Sequence, residues 1–238
     1  MSLRLGKITT IVVSSPSAAK QVLKEHDHIF SNRTLLEAVQ ALDHHNNSVI
    51  WLPANSKWRR LRKLCAMEIF STQRVDLGQA LRGRKVQELL HYVGQFCDPG
   101  RPVEIGRVAF TASLNLLSNT IFSMDLAHYD SENSQEFKDL IWNIMEVAGK
   151  PNVADFFPGL RWVDPQGLKR KMTIYARKLM DILEGVVMER LRLGDQKNDI
   201  LDALLEPTKA EGSDLSVNDI VHILVVKESI AFHLIFIA

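Results

Sequence analysis

The sequence predicts a mainly α chain with a small N-terminal β element, and three observations carry that class. Apolar residues recur at three- and four-residue spacing through most of the chain beyond Ser15, the period of one helix face. The clearest apolar/polar alternation, the strand period, is confined to Leu3 to Val13. Pro, Gly and short polar runs separate the periodic stretches, as expected for helices joined by turns.

In chain order, Leu3 to Val13 is expected to form a strand or half of a hairpin. Ser15 should cap a short helix with Pro16 at its first position and Ala18, Ala19, Val22 and Leu23 on one face. His26 and His28 sit two residues apart, and on a helix such a pair points to different sides, so they read as solvated rather than as metal ligands. Thr34 to Ile50 suggests one short helix followed by a polar loop at His44 to Ser48. A stripe of Leu77, Leu81, Val86, Leu89, Leu90 and Val93 predicts a helix from Asp76 to Phe96, weakened by about 1 kcal/mol at each of its glycines. Asp98-Pro99-Gly100 reads as a turn and Pro102 to Ile105 as a short strand.

Gly106 to Met124 is apolar nearly all round, with Arg107 its only charge, and predicts a buried central helix. After a polar loop, Phe137, Leu140, Ile141, Ile144, Met145 and Ala148 mark another helix, stopped at Gly149 to Asn152. The connector to Gly167 is rich in apolar and aromatic residues, including Phe156, Phe157, Leu160 and Trp162. It reads either as a ligand mouth or contact surface, or as internal packing. Gln166 to Leu193 is one long helix and Asp199 to Leu205 a short one, and Ser216 to Asp219 approximates a capping box for the next.

Trp51 to Cys65, WLPANSKWRRLRKLC, is the stretch where helix signals, dense charge and large aromatics coincide. Ser56 is the expected N-cap. Trp58 and Arg62, four residues apart, lie roughly 40° from each other around a helix, so an indole N–H and a guanidinium project from one face. The pair reads either as an anion holder or as a half-buried ring covered by a solvated cation. Val49 and Ile50, just upstream, read either as pocket walls or as core residues entering the turn at Pro53.

The totals set bounds. Lys and Arg number 29 against 28 Asp and Glu, which argues against a dedicated nucleic-acid binder. Apolar residues at 46% and charged residues at 24% describe an ordinary globular chain. The 238 residues suffice for one large domain. The two cysteines, Cys65 and Cys97, belong to no metal-ligand spacing and read as reduced structural thiols. No signal peptide opens the chain, and the apolar stretch Ile230 to Ala238 is too short to span a bilayer.

Trp58-Arg59-Arg60-Leu61 followed by Arg62 resembles the W-R-x-x-R signature of cytochrome P450 enzymes. Ile11 to Lys20, Ile29 to Thr34, Ser113 to Ser123, Ala148 to Pro158 and Asp164 to Gly167 are similar to runs in the plant subfamily that hydroxylates geraniol and related monoterpenoids. The likeness covers about residues 1 to 225. It implies an incomplete P450 fold, from about helix A to the start of helix I, with 226–238 a divergent apolar tail. It implies haem as cofactor, with Trp58 and Arg62 on a propionate and Val49 and Ile50 against a small apolar substrate. It further implies electrons from NADPH-cytochrome P450 reductase, for which Arg59, Arg60 and Lys63 offer a basic face.

Departure begins near Val226. Beyond Val226 the sequence carries none of the family's A-G-x-D-T, E-x-x-R and F-x-x-G-x-R-x-C-x-G segments, and the last of these supplies the thiolate on iron. The expectation is a truncated product that lacks catalysis of its own and self-associates through exposed apolar helices; the alternative is a non-catalytic helical fragment binding apolar ligands or a protein. Full-length relatives sit on the endoplasmic reticulum membrane, whereas a chain without their N-terminal anchor would be cytosolic or peripheral.

Overall fold

Helices build almost all of the fold, and a single hairpin precedes them. The computed structural model describes residues 1–97, 100, 102–129, 132–210 and 215–226. Strands β1 (Ser2–Leu5) and β2 (Ile8–Ile11) pair antiparallel, with Ser2 opposite Ile11 and Leu5 opposite Ile8. An isolated hairpin of this size is marginal, and this one is docked at its turn. The Lys7 amide donates to the Phe156 carbonyl at 2.9 Å, and Gly6 adopts φ +62°, where an added Cβ would stand 2.5 Å from that same oxygen.

Ser15 caps α1 (Pro16–Lys20) by accepting from the Ala18 amide at 3.3 Å, and a π-helical turn then leads to α2 (Asp27–Phe30). A 3-10 segment follows at Ala38–Asp43. His44 to Asn47, expected as loop, is a helical turn, α3 (His44–Asn47). Its polar residues tolerate that conformation because His44 and Asn47 find partners on other helices.

Helix α4 (Ser56–Glu68) starts one residue earlier than expected. Asn55, not Ser56, is the cap, its side chain accepting from the Trp58 amide at 2.9 Å, because Asn55 holds the extended backbone an N-cap needs. The next predicted helix is two, α5 (Thr72–Leu77) and α6 (Gln79–Cys97), broken at Gly78. Its expected apolar stripe is only partly inward: Leu81, Leu89 and Val93 are half-buried, whereas Leu77, Val86 and Leu90 are exposed. What α6 buries instead is Lys85, whose ammonium meets Glu88 and Asp125 at 2.8 Å each.

No strand forms at Pro102 to Ile105; helix α7 (Ile105–Phe122) begins there. Its burial follows one face, Val108, Thr111, Leu114, Asn115, Ser118 and Ile121, while Ile105 is exposed, so it is not enclosed all round. Asn115 is buried with both ends of its amide paired, donating to the Ala127 carbonyl at 2.7 Å and accepting from the Ala127 amide at 3.0 Å.

Helices α8 (Glu132–Gly149), α9 (Val153–Phe156), α10 (Leu168–Leu193) and α11 (Ile200–Leu205) complete the frame, with α12 at 217–226. Helix α10 lies against both α8 and the 3-10 segment, and Phe110, Ile141, Leu179, Leu183, Leu201 and Ile223 interlock in one core. Arg190 of α10 is buried in a satisfied ionic knot. It binds Asp199 in two places at 2.9 Å, Asp202 at 2.6 Å and the Phe122 carbonyl at 2.8 Å, tying α7, α10 and α11 together. The capping box at Ser216 forms as expected, with Ser216 N donating to Asp219 at 2.9 Å and Asp219 N to the Ser216 hydroxyl at 3.2 Å. The Asp98-Pro99 turn, the Cys97 side chain and the tail 227–238 lie outside the described residues.

The aromatic connector faces outward: Trp162 is 95% and Val163 72% exposed. Its base is held by Glu37, which pairs with Arg161 at 2.9 Å and Lys169 at 3.3 Å. Among the described residues, no helix is long and apolar enough to cross a membrane.

Candidate functional site

All four site residues expected from the sequence line one cavity of about 630 Å³. Helix α4 contributes Trp58 and Arg62 to its wall, the segment before α4 contributes Val49 and Ile50, and Ile223 and Val226 of α12 close the far side. The pair on α4 is arranged differently from the expectation that two donors share one anion. The Trp58 indole N–H donates to the Val49 carbonyl at 3.0 Å, so that donor is committed within the wall. The Arg62 guanidinium lies over the indole ring, its Cζ 5.5 Å from the centroid, in cation–π geometry. Arg33, which the sequence did not single out, is a second guanidinium in the lining and donates to the Ile50 carbonyl at 3.1 Å.

A second cavity of about 270 Å³ adjoins the first, and Ile50 and Val226 line both. Val49 lines only the first. The second is walled by Ala38 and Val39 of the 3-10 segment, Ala148 of α8 and Met172 and Ala176 of α10, an almost wholly apolar enclosure. His44 enters this wall from α3.

Behind His44 runs a buried polar chain. His44 Nδ1 is 2.8 Å from Nδ1 of His222, which is 1% exposed. One turn earlier on α12, the buried Asp219 carboxylate meets Lys57 at 2.6 Å, and Lys57 also donates to Asn47 at 2.8 Å. This chain fastens α12, which lines both cavities through Val226, to α3 at the second cavity and to the start of α4 at the first.

Burial, reinforced by His222 and His45, pushes the His44 pKa down to about 3. Burial likewise dominates at His222, pushing it down to about 4 despite the nearby carboxylates of Asp219 and Asp43. Both imidazoles are therefore neutral near pH 7. For Asp219, burial disfavours ionisation, but hydrogen bonds from Lys57 and Ser216 outweigh it and hold the carboxyl below its usual range.

Sequence reasoning missed this chain for a plain reason. His44 and His222 are 178 residues apart, and neither stands in a motif. Only Asp219, in the capping box, carried a local signal.

The cytochrome P450 family model matches residues 1–226. The chain belongs to the cytochrome P450 family. It is 49% identical over 218 residues to geraniol 8-hydroxylase of Catharanthus roseus, covering 90% of this chain and 44% of that protein. It is 47% identical over 231 residues to cytochrome P450 76AD1 of Beta vulgaris, covering 94% of this chain and 46% of the relative. Geranylhydroquinone 3''-hydroxylase CYP76B74 of Arnebia euchroma is 46% identical over 228 residues, covering 93% of this chain and 46% of the relative. The chain thus spans about half the length of the curated relatives it matches.

The family's cofactor is haem, and the first cavity suits the periphery of that group. Its volume is that of a cofactor-sized ligand, its walls are largely apolar, and Arg33 and Arg62 place positive charge in the lining. Among the described residues, no cluster of His, Cys, Asp or Glu has the makings of a metal site.

Proposed function

We propose that this chain supplies the propionate-side wall and part of the substrate pocket of a plant P450 monooxygenase that hydroxylates a small apolar, monoterpenoid-sized molecule. The observation that carries the reading is the convergence of Trp58, Arg62, Val49 and Ile50 on one cavity that opens beside a smaller apolar one. When bound to a thiolate, the haem supplies activation of O2 for insertion of one oxygen atom into a C–H bond.

In this reading Arg62 holds a propionate by a charge-assisted hydrogen bond, and Trp58 supports it from beneath, its ring facing the guanidinium and its N–H anchored to Val49. Ile50 stands between the cofactor cavity and the substrate cavity. The 238 residues contain no thiolate loop of the family type, so we expect no turnover by this chain alone. Electrons come from NADPH-cytochrome P450 reductase, received near the exposed Arg59 and Lys63. The complete protein works at the endoplasmic reticulum membrane, a placement that the outward-facing Trp162 and Val163 favour.

A second reading, a helical unit that associates with another protein surface, is favoured by the exposed Leu77, Val86 and Leu90. Haem titration separates the two. Saturable binding that Arg62→Leu weakens about tenfold or more, the scale of one charge-assisted bond, supports the first. Absence of haem binding, together with a concentration-dependent oligomer, supports the second. A thiolate-type band in reduced, CO-treated protein that Cys65→Ser removes would make Cys65 the iron ligand and overturn the assignment of roles.

A further inference from the structure

We infer that Lys57 is a positioning residue for the haem cavity, one that touches no cofactor and acts by holding the Trp58–Arg62 pair in place. The inference rests on the reading of the first cavity as the haem cavity and adds to it the device that fixes one wall.

Lys57 breaks a local rule. It is the second residue of α4, behind the Asn55 cap, where the helix dipole disfavours a cation. Its tertiary surroundings supply the reason. The ammonium carries three protons and meets three oxygens: the Asp219 carboxylate at 2.6 Å, the Asn47 side-chain carbonyl at 2.8 Å and the Asn46 backbone carbonyl at 3.3 Å. Asp219 is buried on α12, its side chain 3% exposed, and the Ser216 amide and hydroxyl hold it there. The anchor is therefore rigid. Asp219 also neutralises the Lys57 charge, and Lys57 does not line the cavity. What Lys57 contributes to that cavity is geometry rather than field.

The geometry runs through one loop. Lys57 grips it at Asn46 and Asn47, and Trp58, the next residue of α4, grips it again at the Val49 carbonyl, 3.0 Å from the indole nitrogen. Only the buried Ser48 separates Asn47 from Val49. The acceptor of the indole is thus fixed relative to the helix that carries the indole. Arg62 stands over that ring, its Cζ 5.5 Å from the centroid. Without the Lys57 grip, α4 and the loop are free to separate, the indole loses its acceptor and the guanidinium loses the surface that aims it into the cavity. A binding site weakens when the contacts supporting its side chains slacken in this way.

The test reads the wall and the cofactor separately. In the haem-free chain, Lys57→Met should accelerate solvent exchange of the Trp58 indole N–H, whose NMR resonance Trp58→Phe assigns, while the amides of the buried Ile141 and Leu183 keep their protection. A wild-type exchange rate, or equal acceleration at the core amides, overturns the inference. In haem titration Lys57→Met should weaken binding about 3- to 10-fold, no more than loss of Arg62, the group through which it acts. In the Arg62→Leu background it should cost nothing further. Additive losses, the signature of independent roles, overturn the inference, as does unchanged affinity in the single variant. Asn47→Ala leaves the Lys57–Asp219 pair intact and removes the side-chain grip on the loop. It should shift both readouts in the same direction, and wild-type behaviour there also overturns the inference. If the wild-type chain binds no haem, the reading of the cavity fails, and the exchange result alone decides whether Lys57 holds the wall.

Discussion

Lowering the pH from about 7 to about 5 should destabilise the fold through His44 and His222 before any paired carboxylate begins to titrate. The unfolded imidazoles take up protons near their ordinary pKa of about 6.5, whereas the folded ones resist down to about 3 and about 4. The unfolded state therefore binds more protons across that interval, and stability rises with pH. The contribution is complete above about pH 6.5, is lost progressively as pH falls and levels off below the folded values. Over the 1.5 units from about 6.5 to 5, at about 1.4 kcal/mol per unit, each histidine costs about 2 kcal/mol. The pair together costs up to about 4 kcal/mol, a large fraction of a typical 5–15 kcal/mol. Asp202 and Asp219 have lowered pKa values, so their contribution is intact above the ordinary carboxylate range and is lost only as pH falls below it. The histidine window is thus distinct. Urea unfolding followed by far-UV circular dichroism at several pH values measures the effect, and His222→Gln should remove about half of the slope. A midpoint that stays constant or rises as pH falls from about 7 to 5 would refute the burial argument for both rings.

Other outcomes follow from named contacts. Arg190→Met leaves the buried Asp199 carboxylate without its two-point partner and should cost about 3–5 kcal/mol in urea unfolding; a loss below about 1 kcal/mol would mean that the knot is not desolvated. Gly6→Ala places a Cβ against the Phe156 carbonyl at a left-handed φ, so hydrogen exchange at the Lys7 amide should accelerate as the hairpin undocks, and unchanged protection would contradict the docking. Trp58→Phe keeps the ring beneath Arg62 but orphans the Val49 carbonyl, predicting a loss of about 1–2 kcal/mol in stability. It should also weaken haem binding less than Arg62→Leu does; the reverse order would mean that the indole N–H, not the guanidinium, holds the propionate.

Periodicity in the sequence made the long helices legible. Helix α10 appears within two residues of its expected span because its apolar positions recur at the helical period and Gly194 stops it in a left-handed conformation. The capping box at Ser216 was equally local: residues three apart satisfy each other's amides whatever the rest of the chain does. Where the reading failed, a distant partner decided. The stripe on α6 predicted which residues are apolar but not which face is buried, because Lys85 is drawn inward by Asp125, 40 positions away. Pro102 to Ile105 read as a strand from β-branched and apolar residues, yet the described structure pairs them with no neighbouring strand. A strand without a partner leaves its backbone groups unsatisfied.

By itself, then, the sequence determined the α-rich class, most helix spans and the P450 resemblance, and it singled out Trp58, Arg62, Val49 and Ile50, four of the residues that line the first cavity. All of these depend on spacing within a few turns or on a contiguous motif. Only the tertiary structure decided that Trp58 spends its N–H on Val49, that Arg33 joins Arg62, and that His44 and His222 meet at the edge of a second cavity. Those facts depend on which helices pack together, and burial, which sets both the charge state of the histidines and the shape of the cavities, is a property of that packing rather than of any local stretch of chain.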